Sequence, residues 1–127
     1  MTIEKISSPN VPDPPPETWS NCLVVDGVAY FAGATAPGGG PDEYAQAKGI
    51  LTKIKHLVEA AGGSMADIVK VTIFVTDIKN REQVWRARRE FFTGNFPVST
   101  LVQVAALATP ETKVETDAIA HIGASRR

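Results

Sequence analysis

A chain of 127 residues, 43% of them hydrophobic and 7% aromatic, fits one domain and is long enough to bury roughly two thirds of its unfolded surface without staples. A formal net charge of -1 gives no general attraction to nucleic acid, the lone Cys22 excludes an internal disulfide, and no apolar run approaches the roughly 20 residues that span a bilayer. The opening MTIEKISSPN has neither the apolar centre nor the small-residue cleavage site of a signal peptide, so the expected address is cytoplasmic and the expected partner a small molecule.

Residues 1–18 read as an extended arm. Within it "VPDPPP", Val11 to Pro16, holds neither a helix nor a central strand, because each proline fixes its φ and lacks a donor. After Trp19, "NCLVVDGVAYFAG" sets Asp26-Gly27 between two apolar runs, the signature of a tight hairpin joining strands 21–25 and 28–33. "TAPGGGP" at 35–41 reads as a plain connection, since its glycines lack the Lys-Ser/Thr ending of a phosphate-cradling loop.

From 42 to 61, Ala47, Ile50, Ile54, Leu57, Val58 and Ala61 recur at helical spacing while Lys48, Lys53, Lys55 and Glu59 fall on other faces. This predicts a long amphipathic helix, ended by Gly62-Gly63. "IVKVTIFVTDI" is rich in β-branched residues and predicts a strand over 68–76. A second helix follows over 80–92 with Val84, Trp85, Ala87 and Phe91 inward, then strands over 100–107 and 113–122. In the last of these Val114, Thr116, Ala118 and Ala120 alternate with Glu115, Asp117, Ile119 and His121. The order ββαβαββ predicts a single α+β domain, one sheet with both helices on one face. No helix remains for the other face, so the expected cover is a second copy of the chain.

Several residues could carry chemistry. Cys22 reads as a small buried residue, with no histidine near it in sequence. His56 and His121 lie far apart without spaced Cys or Asp partners, so no metal site is expected. In "NREQVWRARREFF", Arg81, Arg86, Arg88 and Arg89 cover more than one helix face, which fits either a salt-bridged surface or an arginine lent to a cleft. Ser99 and Thr100, after Phe96-Pro97, are either a helix-to-strand joint or part of a site, and Glu115 is either an ion-paired edge residue or an acid-base group.

The stretches "LVEAAGGSMADIVKVTIFVTDI", "EFFTGNFP" and "KVETDAIAHI" resemble signature segments of the Rid (YjgF) family of reactive-intermediate deaminases, in register from about Trp19 to Ala120. The resemblance implies a chorismate-mutase-like fold, a homotrimer with clefts between subunits, and cofactor-free hydrolysis of enamine/imine intermediates such as 2-aminoacrylate to a keto acid and ammonia. Where the family reads Pro-Ala-Arg-Ser, its arginine gripping the substrate carboxylate, this chain reads Pro97-Val98-Ser99-Thr100. The family's water-orienting glutamate matches Glu115, while Trp19 stands for a tyrosine, Ala32 beside Gly33 for a serine, and Trp85 for an asparagine. Carried over, the expected site is Glu115 as the catalytic carboxylate with Trp19, Ala32, Gly33, Trp85, Ser99 and Thr100 around the substrate. Residues three or four positions from Trp85 share its face, which adds Arg88 as the replacement anchor, since Arg88 lies nearer Ser99 than Arg81 does. The expected activity is deamination of a 2-aminoacrylate-like or larger, aminomuconate-like, imine. The alternative is a non-catalytic trimer binding a small metabolite or a protein in the same clefts. Some relatives have been called ribonucleases, but the overall acidity and the lack of a stacking platform argue against nucleic acid.

Overall fold

In the computed structural model, which describes residues 2–127, the arm begins with a short strand that the sequence did not announce. Strand β1 (Ile3–Lys5) pairs antiparallel with β2 (Cys22–Val25), placing Ile3 opposite Val25. Three exposed residues are too few to show a period of two, which is why this strand was invisible. Asp26 and Gly27 both have positive φ, 53° and 78°, so the turn to β3 (Val28–Ala34) has the type I′ form whose twist matches antiparallel strands.

Helix α1 (Glu43–Ala60) starts where the Asp42 carboxylate accepts a hydrogen bond from the Ala45 N–H, and it ends before Gly62 at φ 90°. Strand β4 (Ile68–Val75) leads through helix α2 (Arg81–Arg89) to β5 (Val98–Gln103), and β6 (Val114–His121) closes the chain. The sheet order is β1-β2-β3-β6-β4-β5; only β4 and β5 run parallel, as a strand–helix–strand crossover requires.

Two boundaries differ from expectation. Helix α2 stops at Arg89 rather than 92, where the N–H groups of Phe91 and Phe92 both bond to the Arg88 carbonyl and Gly94, at φ 66°, turns the chain. Strand β5 spans Val98–Gln103 rather than 100–107: its partner β4 ends at Val75, so the alternating residues beyond Val104 have no edge to pair with.

Both helices lie on one face of the sheet. Ile50, Ile54 and Val58 of α1 and Val84 and Ala87 of α2 are buried against Phe31, Val71 and Ile73, while Ala61, Trp85 and Phe91 are only half-buried. The alternation in β6 holds: Val114, Thr116, Ala118 and Ala120 are buried, and Glu115, Asp117, Ile119 and His121 face the other way. That second face carries Tyr30, 49% exposed, with Val98 and Val102. Below the sheet the fully buried Asp67 accepts hydrogen bonds from the N–H groups of Ser64, Gly123 and Ser125, tying the C-terminal turn to the approach to β4. Among the described residues no helix is long and apolar enough to cross a membrane.

Candidate functional site

The β3–β6 ladder is irregular between Phe31 and Ala34, where Ala32 and Gly33 together oppose Asp117. Such a bulge re-aims side chains and frees backbone at a sheet surface. A Cβ on Gly33 would stand 2.5 Å from Oε2 of Glu115, so only glycine lets that carboxylate lie across the neighbouring strand. Glu115, opposite Phe74, is on the open face, away from the helices. Beneath the bulge a cavity of about 200 Å³ opens between the proline arm, Trp19, residues 31–35 and α1. Trp19 forms its rim and is 55% exposed. Gly33 thus touches the Glu115 carboxylate and also lines this cavity, whose lining it shares with Ala32 and Trp19.

A second group is built around Arg88. Its Nη1 donates to the Ser99 hydroxyl at 2.7 Å, and its Nε is buried with no hydrogen-bond partner. Burial, followed by the nearby Arg89 charge, lowers the pKa of Arg88. Among the described residues Arg88 pairs with no carboxylate. The other arginines of α2 are otherwise engaged: Arg86 stacks 3.9 Å over Tyr44, Arg89 pairs with Glu82, and Arg81 lies 5.7 Å from the Trp85 ring centre. Arg88 is thus a poorly compensated cation beside the position where the expected arginine is missing.

One chain does not bring these groups together. Between β3 and β5 lie β6 and β4, a separation of about 14 Å at ordinary strand spacing. Ser99 aligns with the buried Val71 and so faces the helices, on the opposite side of the sheet from Glu115. Thr100 aligns with Thr72 and shares the open face with Glu115, two strands away. Trp85 stays on the outer side of α2, half-buried under Arg81.

Two polar groups escaped the sequence reading. Asp117 is a second carboxylate on the open face, opposite the bulge, and its place two residues after Glu115 on one strand was the available signal. Lys53 borders the cavity and donates to the Thr35 carbonyl at 2.6 Å, although its helical position suggested only an outer face. Cys22 is fully buried, and burial pushes its thiol up to about 11, so it is no thiolate nucleophile at neutral pH. Among the described residues no three His, Cys, Asp or Glu side chains come together as a metal would need.

The family pattern described as Endoribonuclease L-PSP matches residues 12–122. A protein of unknown function from Pseudomonas aeruginosa is 39% identical and superimposes with a TM-score of 0.90 over 96% of this chain and 94% of its own. A conserved Rid-family protein of unknown function from Yersinia pestis is 29% identical, with a TM-score of 0.87 over 95% of this chain and all of its own. Escherichia coli TdcF, solved with bound serine, is 27% identical, with a TM-score of 0.84 over 93% of this chain and 98% of its own.

Proposed function

This chain belongs to the L-PSP (YjgF, Rid) family, and on that premise we propose that it is a hydrolytic deaminase of a carboxylate-bearing enamine or imine, producing a keto acid and ammonia without a cofactor. Membership by itself supports a deaminase or small-molecule-binding role, and the serine bound to TdcF is in keeping with a small ligand. The observation that carries the finer reading is the Glu115 carboxylate held over Gly33 on the open sheet face.

An enamine first takes a proton at carbon and gives up one from nitrogen to become the imine. Water then adds to the C=N carbon, its oxygen forming the new bond while one proton passes to nitrogen. Collapse of the carbinolamine passes the hydroxyl proton to nitrogen, forms the C=O bond and breaks the C–N bond, expelling ammonia. Glu115 is the group proposed to take the proton from water and return it to nitrogen, a general acid-base role worth about 10²–10⁴-fold. Gly33 leaves the carboxylate unobstructed, and Trp19 with Ala32 supplies a wall for the carbon skeleton.

The substrate carboxylate needs a cation. Arg88, with a buried unpartnered Nε and its Nη1 on Ser99, is the proposed anchor, while Thr100, on the open face, and Trp85, on the outer side of α2, are proposed to meet the substrate from other directions. Because this group lies across the sheet from Glu115, the complete site requires two copies, the Arg88 group of one chain meeting the Glu115 group of its neighbour. The uncovered sheet face with Tyr30, Val98 and Val102 supports such an assembly, proposed as a homotrimer acting in the cytoplasm. A second reading, a non-catalytic trimer binding a small metabolite or a protein in the same clefts, is favoured by one observation: Ser99 offers a neutral hydroxyl where the family's arginine would stand.

Ammonia release from freshly generated 2-aminoacrylate-type and larger dicarboxylate imines separates the two. The deaminase reading expects acceleration over the spontaneous reaction, lost in Glu115→Gln and retained in part by Asp117→Asn. No acceleration with any imine, alongside intact keto-acid binding, would establish the binding protein.

A further inference from the structure

Arg88 carries a donor for which the protein supplies no acceptor. Its Nη1 meets the Ser99 hydroxyl at 2.7 Å, but its Nε is buried without a hydrogen-bond partner. Leaving an N–H of a charged group in that state is costly, and buried donors nearly always meet an acceptor. Arg88 stands one turn after the buried Val84, so its stem enters on the inner side of α2. There, between α1, α2, β4 and β6, a small cavity of about 10 Å³ is bordered by Arg88, by Thr116 and otherwise by apolar side chains such as Leu51, Val71 and Ile73. Thr116 is itself out of place. On the helix-facing side of β6 its neighbours along the strand are Val114, Ala118 and Ala120, and it is only 4% exposed. A hydroxyl buried among apolar residues costs stability unless it is hydrogen-bonded.

We propose that Thr116 is a positioning residue for Arg88 and acts through one buried water, which accepts a hydrogen bond from Arg88 Nε and makes another with the Thr116 hydroxyl. The cavity is about the least that admits a water, and it is too small for a carboxylate or an amine. A purely apolar cavity stays dry, whereas Arg88 and Thr116 give this one the pair of polar partners that a buried water needs at minimum. The guanidinium is planar. Holding Nε on the water and Nη1 on Ser99 fixes that plane at both ends and presents its remaining N–H donors in one orientation. A substrate carboxylate would meet that orientation, a consequence that rests on the reading of Arg88 as the anchor; the water itself does not depend on it.

NMR of the full chain with isotope-labelled arginine, paired with pyruvate titration, tests it. The Arg88 Nε–H resonance, identified by its loss in Arg88→Ala, is expected to exchange slowly with solvent and to show a nuclear Overhauser peak to a long-lived water. Thr116→Val keeps the side chain's shape and removes the hydroxyl. It should abolish that peak and weaken pyruvate binding by about three- to ten-fold, the scale of one hydrogen bond. Thr116→Ser should keep both the peak and the binding. No long-lived water at the Arg88 Nε–H, or a peak that survives in Thr116→Val, would overturn the proposal. So would loss of the peak with pyruvate bound as tightly as before. Absence of pyruvate binding by the unaltered chain would overturn the anchor reading alone, because the water peak and its loss in Thr116→Val would still establish that Thr116 holds Arg88.

Discussion

At Gly33 the absence of one carbon decides whether a carboxylate can sit where it does. An added Cβ would stand 2.5 Å from Glu115 Oε2 and 2.8 Å from its Cδ, well inside contact distance. Gly33→Ala is therefore expected to displace the carboxylate and cut ammonia release by about 10²-fold, the lower end of a lost acid-base contribution, with little change in melting temperature; steady-state kinetics with calorimetry checks both. Arg88 makes the complementary case. Arg88→Ala should weaken keto-acid binding by about 1.5–3 kcal/mol, the range for a hydrogen bond to a charged group. Arg86→Ala and Arg89→Ala should change it little, because those side chains are committed to Tyr44 and Glu82. Equal effects from all three in titration with pyruvate would make the cluster an ordinary charged surface. The spacing from Trp85 singled out Arg88 as the expected anchor, and Arg88 is the arginine of α2 that donates to Ser99. Which side of the sheet it reaches was not legible, because that depends on the register of β5, where Ser99 pairs with Val71.

At the scale of elements, the sequence pattern located the two helices and five of the six strands, and the Asp26-Gly27 pair located the hairpin turn. What escaped was set by partners distant in sequence: β1 exists only because β2 offers it an edge, and β5 ends because β4 does. The Gly33 bulge was hidden for the same reason, since it is a mismatch between β3 and β6 and not a property of either strand. Asp67 shows how such distant ties hold the ends of elements. Burial raises its pKa, but hydrogen bonds from Ser125, Gly123 and Ser64 outweigh that and hold the carboxyl at about 2. A pKa lowered on folding stabilises above the unfolded value near 3.9 and loses that stabilisation as pH falls toward 2. Asp67→Asn is expected to cost about 1–3 kcal/mol near neutral pH, the penalty for leaving buried donors poorly matched, and to flatten the stability change between about pH 4 and 2. Urea unfolding at a series of pH values reads both; an acid limb unchanged in the variant would show that other carboxylates control it.

For the whole molecule, the sheet is the basis of the proposed assembly. The helices cover one face, and the other presents Tyr30, Val98 and Val102 beside two carboxylates, Glu115 and Asp117. Light scattering at micromolar concentration should give the mass of three chains, and a monomer would remove the cover this face requires. The central claim is that catalysis is assembled between copies, Glu115 from one and Arg88 from the next. Complementation tests it most directly: Glu115→Gln and Arg88→Ala chains, each impaired alone at sub-saturating imine, are unfolded together, refolded and assayed for ammonia release from an imine. Random mixing in a closed ring should restore activity at about a quarter of the sites, those where an intact Glu115 meets an intact Arg88. Mixed trimers that form but release no ammonia above either variant alone would contradict a site shared between neighbouring chains.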